Sequence, residues 1–346
     1  MPAGNTGIAT TVPYLGQLFQ TVRRPNALLK LLGHFTGKTV GEPFAYKESS
    51  AIVFPIGAFY TLPSPSQPAR LEGANAPAAN YFALTQAQNV IQIFTEAVQV
   101  TYLAQSDKAI SGVVPIPQGE AQGEVQNPRS TAFQVMRTLE KIAQDVNYSM
   151  INGTYSNPGD PSATALAMRG VYNAIATNIV NNSASTAIST AANAAAADAI
   201  YRGWIDALLL SMIQYNGYEI DDTYALFVGA QEFANIAKIY SNFGTIYLQP
   251  EASIAGVKIR KVFTTFGTLM LVLDPDVPAN SVLCLSLSQM GLIGLPVPGK
   301  GVLFEEPLFK QGSADQTQIY GQLSIDHGPE YLHGLLKVPA GTAAYL

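Results

Sequence analysis

Residues that carry chemistry are scarce in this chain. Among 346 residues there is one cysteine, Cys284, one tryptophan, and three histidines, His34, His327 and His333. A lone cysteine excludes an internal disulfide and any thiolate cage for a metal. Charge is short as well: Asp, Glu, Lys and Arg make up 12% of the chain, about half of the roughly 25% usual in soluble domains. The 19 basic residues are outnumbered by 24 acidic ones, a net charge of -5, which argues against a dense basic surface for nucleic acid. No apolar run approaches the ~18 residues of a membrane span. The opening MPAGNTGIATTVPYLG lacks the basic start and apolar stretch of a secretory signal. A soluble product made in the cytoplasm is expected, and the sequons at Asn147, Asn152 and Asn181 are read as chance.

What the chain does have is apolar material, 48% of its residues. That suffices for a sizeable core, in about two domains or one large one. Residues 1–45 read as an extended arm with one short helical stretch, Asn26–Leu32, between Pro25 and Gly33. From 46 to 104 two β-like stretches, Ala51–Leu62 and Asn89–Tyr102, flank a Pro-rich centre. They predict a long two-stranded excursion, each arm of a dozen or more residues, that needs another surface to rest on.

Asn127-Pro128 then opens a helix of about 24 residues, with apolar positions at Phe133, Met136, Leu139, Ala143, Val146 and Met150. Asn152-Gly153 is expected to stop it in a left-handed conformation. An Ala/Ser/Thr/Asn-rich connection at 181–197 leads into a second helix, about 194–215. The remainder is α+β. Tyr224–Val228 reads as a buried strand and Ala230–Tyr240 as a helix. Strands follow at Val257–Phe263, Thr268–Leu273, Val282–Leu287, Leu292–Leu295 and Gln318–Ile325, and a last run at Glu330–Leu336.

The search for a reactive site returns nothing specific. Gly33-His34-Phe35-Thr36-Gly37-Lys38-Thr39 has one residue too few between its glycines for a phosphate loop. Asp326, His327 and His333 form the one acid–imidazole cluster, but the histidines are six apart, off zinc spacing, so a solvated turn is expected. Cys284 reads as a core filler with no base beside it. The neighbouring acids Glu305-Glu306 and Asp221-Asp222 read as solvated pairs. No catalytic residue, cofactor or metal is expected.

The order of segments carries more information than any motif. Together with YLAQSDKAISG (102–112), GYEIDDTYALFVGAQEFANIAKIYSNFG (217–244) and TTFGTLMLVLDPDVPANSVLCLSLSQMGLI (264–293), it resembles the major capsid proteins of tailed bacteriophages. The branch it looks like is that typified by Salmonella- and Escherichia-type podovirus capsids. The resemblance covers essentially the whole chain and implies an α+β fold of the Hong Kong 97 type. Its expected parts are an N-terminal arm at 1–45, an extended loop at 46–104, a peripheral domain at 105–195 and 300–346 with a spine helix at about 128–151, and an axial domain at 196–299. It implies self-assembly into pentamers and hexamers of an icosahedral shell around double-stranded DNA held without sequence specificity. Scaffolding, portal and decoration proteins are the further partners, the virion the location, and host cytoplasm the place of assembly. The charges expected between subunits are Arg23, Arg24, Lys47, Glu48, Arg70, Glu72, Arg137 and Glu140. Some members of the wider fold crosslink loop lysines; Lys47 and Lys108 lie near the loop base, with no acceptor or acid identified. A nanocompartment shell on the same fold is the alternative, and a soluble enzyme the third reading.

Overall fold

The computed structural model describes residues 26–35, 46–59, 69–76, 85–106, 131–216, 220–241, 252–254, 256–310 and 312–341. Two sheets and two long helices organise them. The first long helix, which follows α1 (Ala27–Phe35) and the short α2 (Tyr102–Ser106), is α3, Thr131–Asn152. Of the apolar positions expected to face inward, Leu139, Ala143, Val146 and Met150 are buried, as their three-and-four spacing predicts, whereas Phe133 and Met136 are half-buried and the buried stripe runs through Val135 and Ile142 instead; the Asn127-Pro128 cap lies outside the described residues. The stop at Asn152 has a different cause from the expected one. Gly153 is not among the residues with positive φ. A Cβ there would stand 2.5 Å from the carbonyl oxygens of Met168 and Ser149, so glycine is required because backbone crosses backbone at this point.

The larger sheet has seven strands. In chain order they are β5 (Ile179–Asn181), β6 (Tyr224–Val228), β7 (Ala252–Ile254), β8 (Val257–Thr264), β9 (Gly267–Leu273), β10 (Ser281–Ser286) and the last strand of the chain, β14 (Gly334–Lys337). Their spatial order is β5-β14-β10-β6-β9-β8-β7. The central strands β6 and β10 are buried at every position. One face, through Leu226, Val228, Val282 and Cys284, meets α4 (Ala194–Asn216) and α5 (Ala230–Ser241). The other, through Ala225, Phe227, Leu283 and Leu285, shares a core with α1 and α3. A sheet covered on both sides explains the uninterrupted apolar runs YALFV and SVLCLS, and part of the shortage of charge.

The five-stranded sheet is built on β13 (Ala314–Asp326). On one side β13 pairs with β11 (Gly291–Gly294) and β12 (Leu303–Pro307). On the other it takes β4 (Gln92–Thr101) across ten antiparallel partners, and the two-residue β1 (Lys47–Glu48) completes the sheet beside β11. Two expected divisions therefore do not follow the sheets. β5 and β14 lie in sequence outside 196–299 yet pair in the seven-stranded sheet, and β11 lies inside that range yet pairs with β13.

The excursion at 46–104 also differs from expectation. Its described ribbon is β2 (Val53–Phe59) paired antiparallel with β3 (Thr85–Val90); residues 60–68 and 77–84 lie outside the described residues. The other half of the return stretch, β4, is bound into the chain's own sheet. A 13-residue β13 offers β4 ten backbone partners, which a short ribbon partner cannot match. The chain switches from ribbon to sheet between Val90 and Gln92, where Ile91 N–H still donates to the Ile52 carbonyl, 2.9 Å.

Candidate assembly surfaces

Two buried polar hubs set the geometry of the parts that leave the core. At the base of the ribbon, Asn89 is fully buried. Its amide donates to the carbonyls of Ile325 (2.9 Å) and Arg169 (3.3 Å), and its Oδ1 accepts from the N–H groups of Arg169 (2.8 Å) and Val90 (2.9 Å). Ser324 Oγ donates to the Val90 carbonyl, 2.7 Å. Beside them Gly57 (φ +46) presses against the following turn: a Cβ there would lie 2.5 Å from Gly328 C and Pro329 N. These contacts fasten the base of the ribbon to the end of β13 and the turn that follows it.

The second hub holds α1. The helix is buried through Ala27, Leu28, Leu29, Leu31 and Leu32, so the orphan N–H groups of its first turn are out of reach of water. Leu28 N–H donates to Asp274 Oδ2 (3.1 Å) and Leu29 N–H to Asn147 Oδ1 (3.0 Å). Asn147 Nδ2 in turn donates to both oxygens of Asp274 (3.1 Å each) and to Asp276 Oδ2 (2.6 Å). Burial pushes the Asp274 carboxyl above its ordinary range, while the donors from Asp276, Asn147 and Leu28 pull it back. A carboxylate at the positive end of a helix is favourably placed. Three segments far apart in sequence, α1, α3 and the turn after β9, are tied at one point. The sequon reading of Asn147 contained no hint of this.

The expected solvated turn around the histidines is corrected: His327 and His333 are both buried. His333 accepts the Ser286 N–H at Nδ1 (3.2 Å) and donates from Nε2 to the His327 carbonyl. Accepting at Nδ1 needs the neutral ring, and burial pushes its pKa down to about 4. Among the described residues no group of three or more His, Cys, Asp or Glu is placed to hold a metal ion. Burial pushes the Cys284 thiol up to about 12, leaving it inert. Among the described residues no helix is long and apolar enough to cross a membrane.

Of the eight charges expected between subunits, Arg23 and Arg24 lie outside the described residues, as does Lys108. Arg137 and Glu140 are brought together on α3 (2.6 Å), with the guanidinium over the Phe133 ring at 4.9 Å. Lys47 reaches Asp326 (3.6 Å), and Glu48 accepts from Tyr46 OH (3.2 Å). Arg70 and Glu72 are exposed, on either side of the exposed Leu71.

Sequence reasoning did not single out the apolar residues that the structure leaves exposed. Phe309 is 95% exposed, Leu103 82% and Tyr102 42%. The first sits in the β12–β13 connection and the other two on α2. Ile93 and Tyr148 are exposed where β4 meets α3. Leaving a Phe or Leu in water forgoes about 1.5–3 kcal/mol that burial would supply. The available signal was Leu308-Phe309 set between Pro307 and Gly312, apolar residues at a turn.

A two-stranded ribbon pinned at its base, a long helix against a five-stranded sheet, and a doubly covered second sheet make an α+β arrangement of the Hong Kong 97 type. The chain is similar to the capsid of a native GTA particle (TM-score 0.53, 11% identity, 92% of each chain covered). It is also similar to the capsid of cyanophage A-1(L) (TM-score 0.51, 12% identity, 90% of this chain and 92% of that one). A third is the SrpI encapsulin of Synechococcus elongatus PCC 7942 (TM-score 0.51, 13% identity, 84% of each). No curated protein matches by sequence at a significant level. The SU10 major capsid protein family matches residues 5–340, and the chain belongs to that family: it is a major capsid protein, a structural component that builds a shell.

Proposed function

We propose that this chain assembles into pentameric and hexameric capsomers of one closed icosahedral shell around double-stranded DNA, within the virion. The observation that carries this reading is the family match over nearly the whole chain. The same polypeptide must then occupy both ring types through head-to-tail contacts. Its anchored core serves as the constant part. The ribbon beyond Asn89 and Gly57 serves as the part that reaches a neighbour, adding backbone hydrogen bonds as an extra strand does. A two-stranded ribbon is marginal by itself in water, which supports a resting place on another subunit.

The division into arm, extended loop, peripheral and axial parts is carried forward with boundaries that follow the sheets. The loop ends at Val90 rather than 104, β11 joins the peripheral part, and β5 and β14 join the axial part. Arg70, Glu72, Lys47 and Glu48, exposed near the loop and its base, are proposed as contacts with neighbours, and so are Arg23 and Arg24. Arg137 and Glu140 already satisfy each other and are proposed to contribute as a pair. An acidic balance suits an inner wall that does not grip its DNA. Scaffolding, portal and decoration proteins are proposed partners, and host cytoplasm the site of assembly.

A size column followed by negative-stain microscopy of the purified chain tests the reading. A megadalton peak of closed particles is expected, whereas a chain that remains monomeric under all assembly conditions would overturn it. Particles that enclose a co-expressed protein in place of DNA would favour the nanocompartment alternative, to which the encapsulin similarity lends weight.

A further inference from the structure

Two surfaces of the chain are left uncovered and carry charges in matching order. The first lies between the two strands of the ribbon, where every residue from 69 to 76 is exposed, Leu71 at 86%. The Ala74 N–H donates to the Leu71 carbonyl (3.1 Å), and Gly73 takes φ +79, the positive value that a tight turn of this kind asks of glycine. At the turn an apolar side chain stands between a cation and an anion, Arg70 and Glu72. Neither charge is in an ion pair among the described residues.

The second surface is a recess of about 320 Å³ between β4 and α3, lined by Gln92, Ile93, Glu96, Asp145, Tyr148 and Ser149. Ile93 and Tyr148 give it an exposed apolar rim. Lys141 reaches across from α3 to pair with Glu96. Asp145, one turn further along the helix, is left without an ion pair among the described residues. The Lys141 side chain stays more than half exposed, with donors beyond the one it gives Glu96.

The match is one of order and spacing. Arg70 and Glu72, two residues apart, stand within about 7 Å of each other along the chain. Lys141 and Asp145, four residues apart on α3, are separated by about 6 Å along its axis. Arg70 set on Asp145 and Glu72 on Lys141 forms both ion pairs at once and carries Leu71 to the apolar rim. The reverse seating would place Arg70 on Lys141 and Glu72 on Asp145, two like-charge contacts, so the charges select one direction. Within one chain the two surfaces do not cover each other, since residues 69–76, Ile93 and Tyr148 are all exposed. A shell-building subunit meets further copies that carry the same pair of surfaces, and a contact of tip with recess repeats head to tail.

We infer that the Arg70–Glu72 tip of one subunit docks in the β4–α3 recess of another copy of this chain, with Arg70 on Asp145, Glu72 on Lys141, and Leu71 against Ile93 and Tyr148. The inference rests on the assembly reading above and names the surface of the neighbour that receives the loop.

Reversing the charges tests the contact. Arg70→Glu and Asp145→Arg are each expected to lower the yield of closed particles at least tenfold, while the far-ultraviolet circular dichroism of the unassembled chain stays that of wild type. The chain carrying both changes restores the pair with its signs exchanged and is expected to recover most of the wild-type yield. A double variant no better than either single one overturns the contact, as does normal yield from both single variants. A readout independent of yield uses separately purified Leu71→Cys and Tyr148→Cys chains, mixed under assembly conditions and oxidised. The native Cys284 is fully buried and does not compete. A disulfide-linked dimer that needs both chains is expected, and particles that form normally without it overturn the contact. Wild type that never assembles overturns the assembly reading, and this inference with it.

Discussion

Asn147 shows how much one side chain can hold in a charge-poor protein. It accepts the Leu29 N–H and donates to both oxygens of Asp274 and to Asp276. Asn147→Leu keeps the apolar volume but strands the helix N–H and weakens the hold on a buried carboxylate. It is expected to destabilise the unassembled chain by about 2–4 kcal/mol, measurable by urea unfolding. His333 makes a pH-dependent contribution. Its folded pKa of about 4 lies below the ~6.5 of an unfolded imidazole, so the unfolded chain binds the proton more readily. The stabilisation is complete above about pH 6.5 and is lost as pH falls towards about 4, on the order of a few kcal/mol in total. Asp274, shifted upward, works in the opposite direction at the acid end. Comparing unfolding of wild type and His333→Gln across pH 7 to 4 isolates the histidine: the variant's profile should be flatter. A profile as steep as wild type would remove His333 from the account.

Elements differ in how far they could be read from the chain. The α3 stripe and the strand Tyr224–Val228 were legible because their burial follows from local periodicity. The partner of β4 was not legible, because alternation tells which residues face the core and says nothing about which strand lies alongside. The ribbon that remains, β2 with β3, is pinned at Gly57 and Asn89. Gly57→Val puts a branched side chain where a Cβ would already meet Gly328 and Pro329 at 2.5 Å. It is expected to displace the ribbon base and to reduce closed particles at least tenfold, with little change in the melting of the core. A particle count by negative stain and a thermal scan separate the two effects. Deleting residues 63–80 should leave a folded chain that cannot close a shell, as sedimentation will show.

At the scale of the whole molecule, the succession of a long helix and an α+β block was legible in the amino-acid order, because it depends on residue identity and local spacing. The class of protein was read there through the resemblance to tailed-phage capsid proteins, and the family match over residues 5–340 shows it. Tertiary structure alone decided where β4, β5, β11 and β14 pair, that the Asp274 and Asn89 hubs exist, that His327 and His333 are buried, and that Phe309 faces water. Each of these depends on contacts between residues as far as 246 positions apart, as between Leu28 and Asp274. Hydrophobic pattern marks a residue as fit for burial, but only the packed neighbours determine whether, and against what, it is buried.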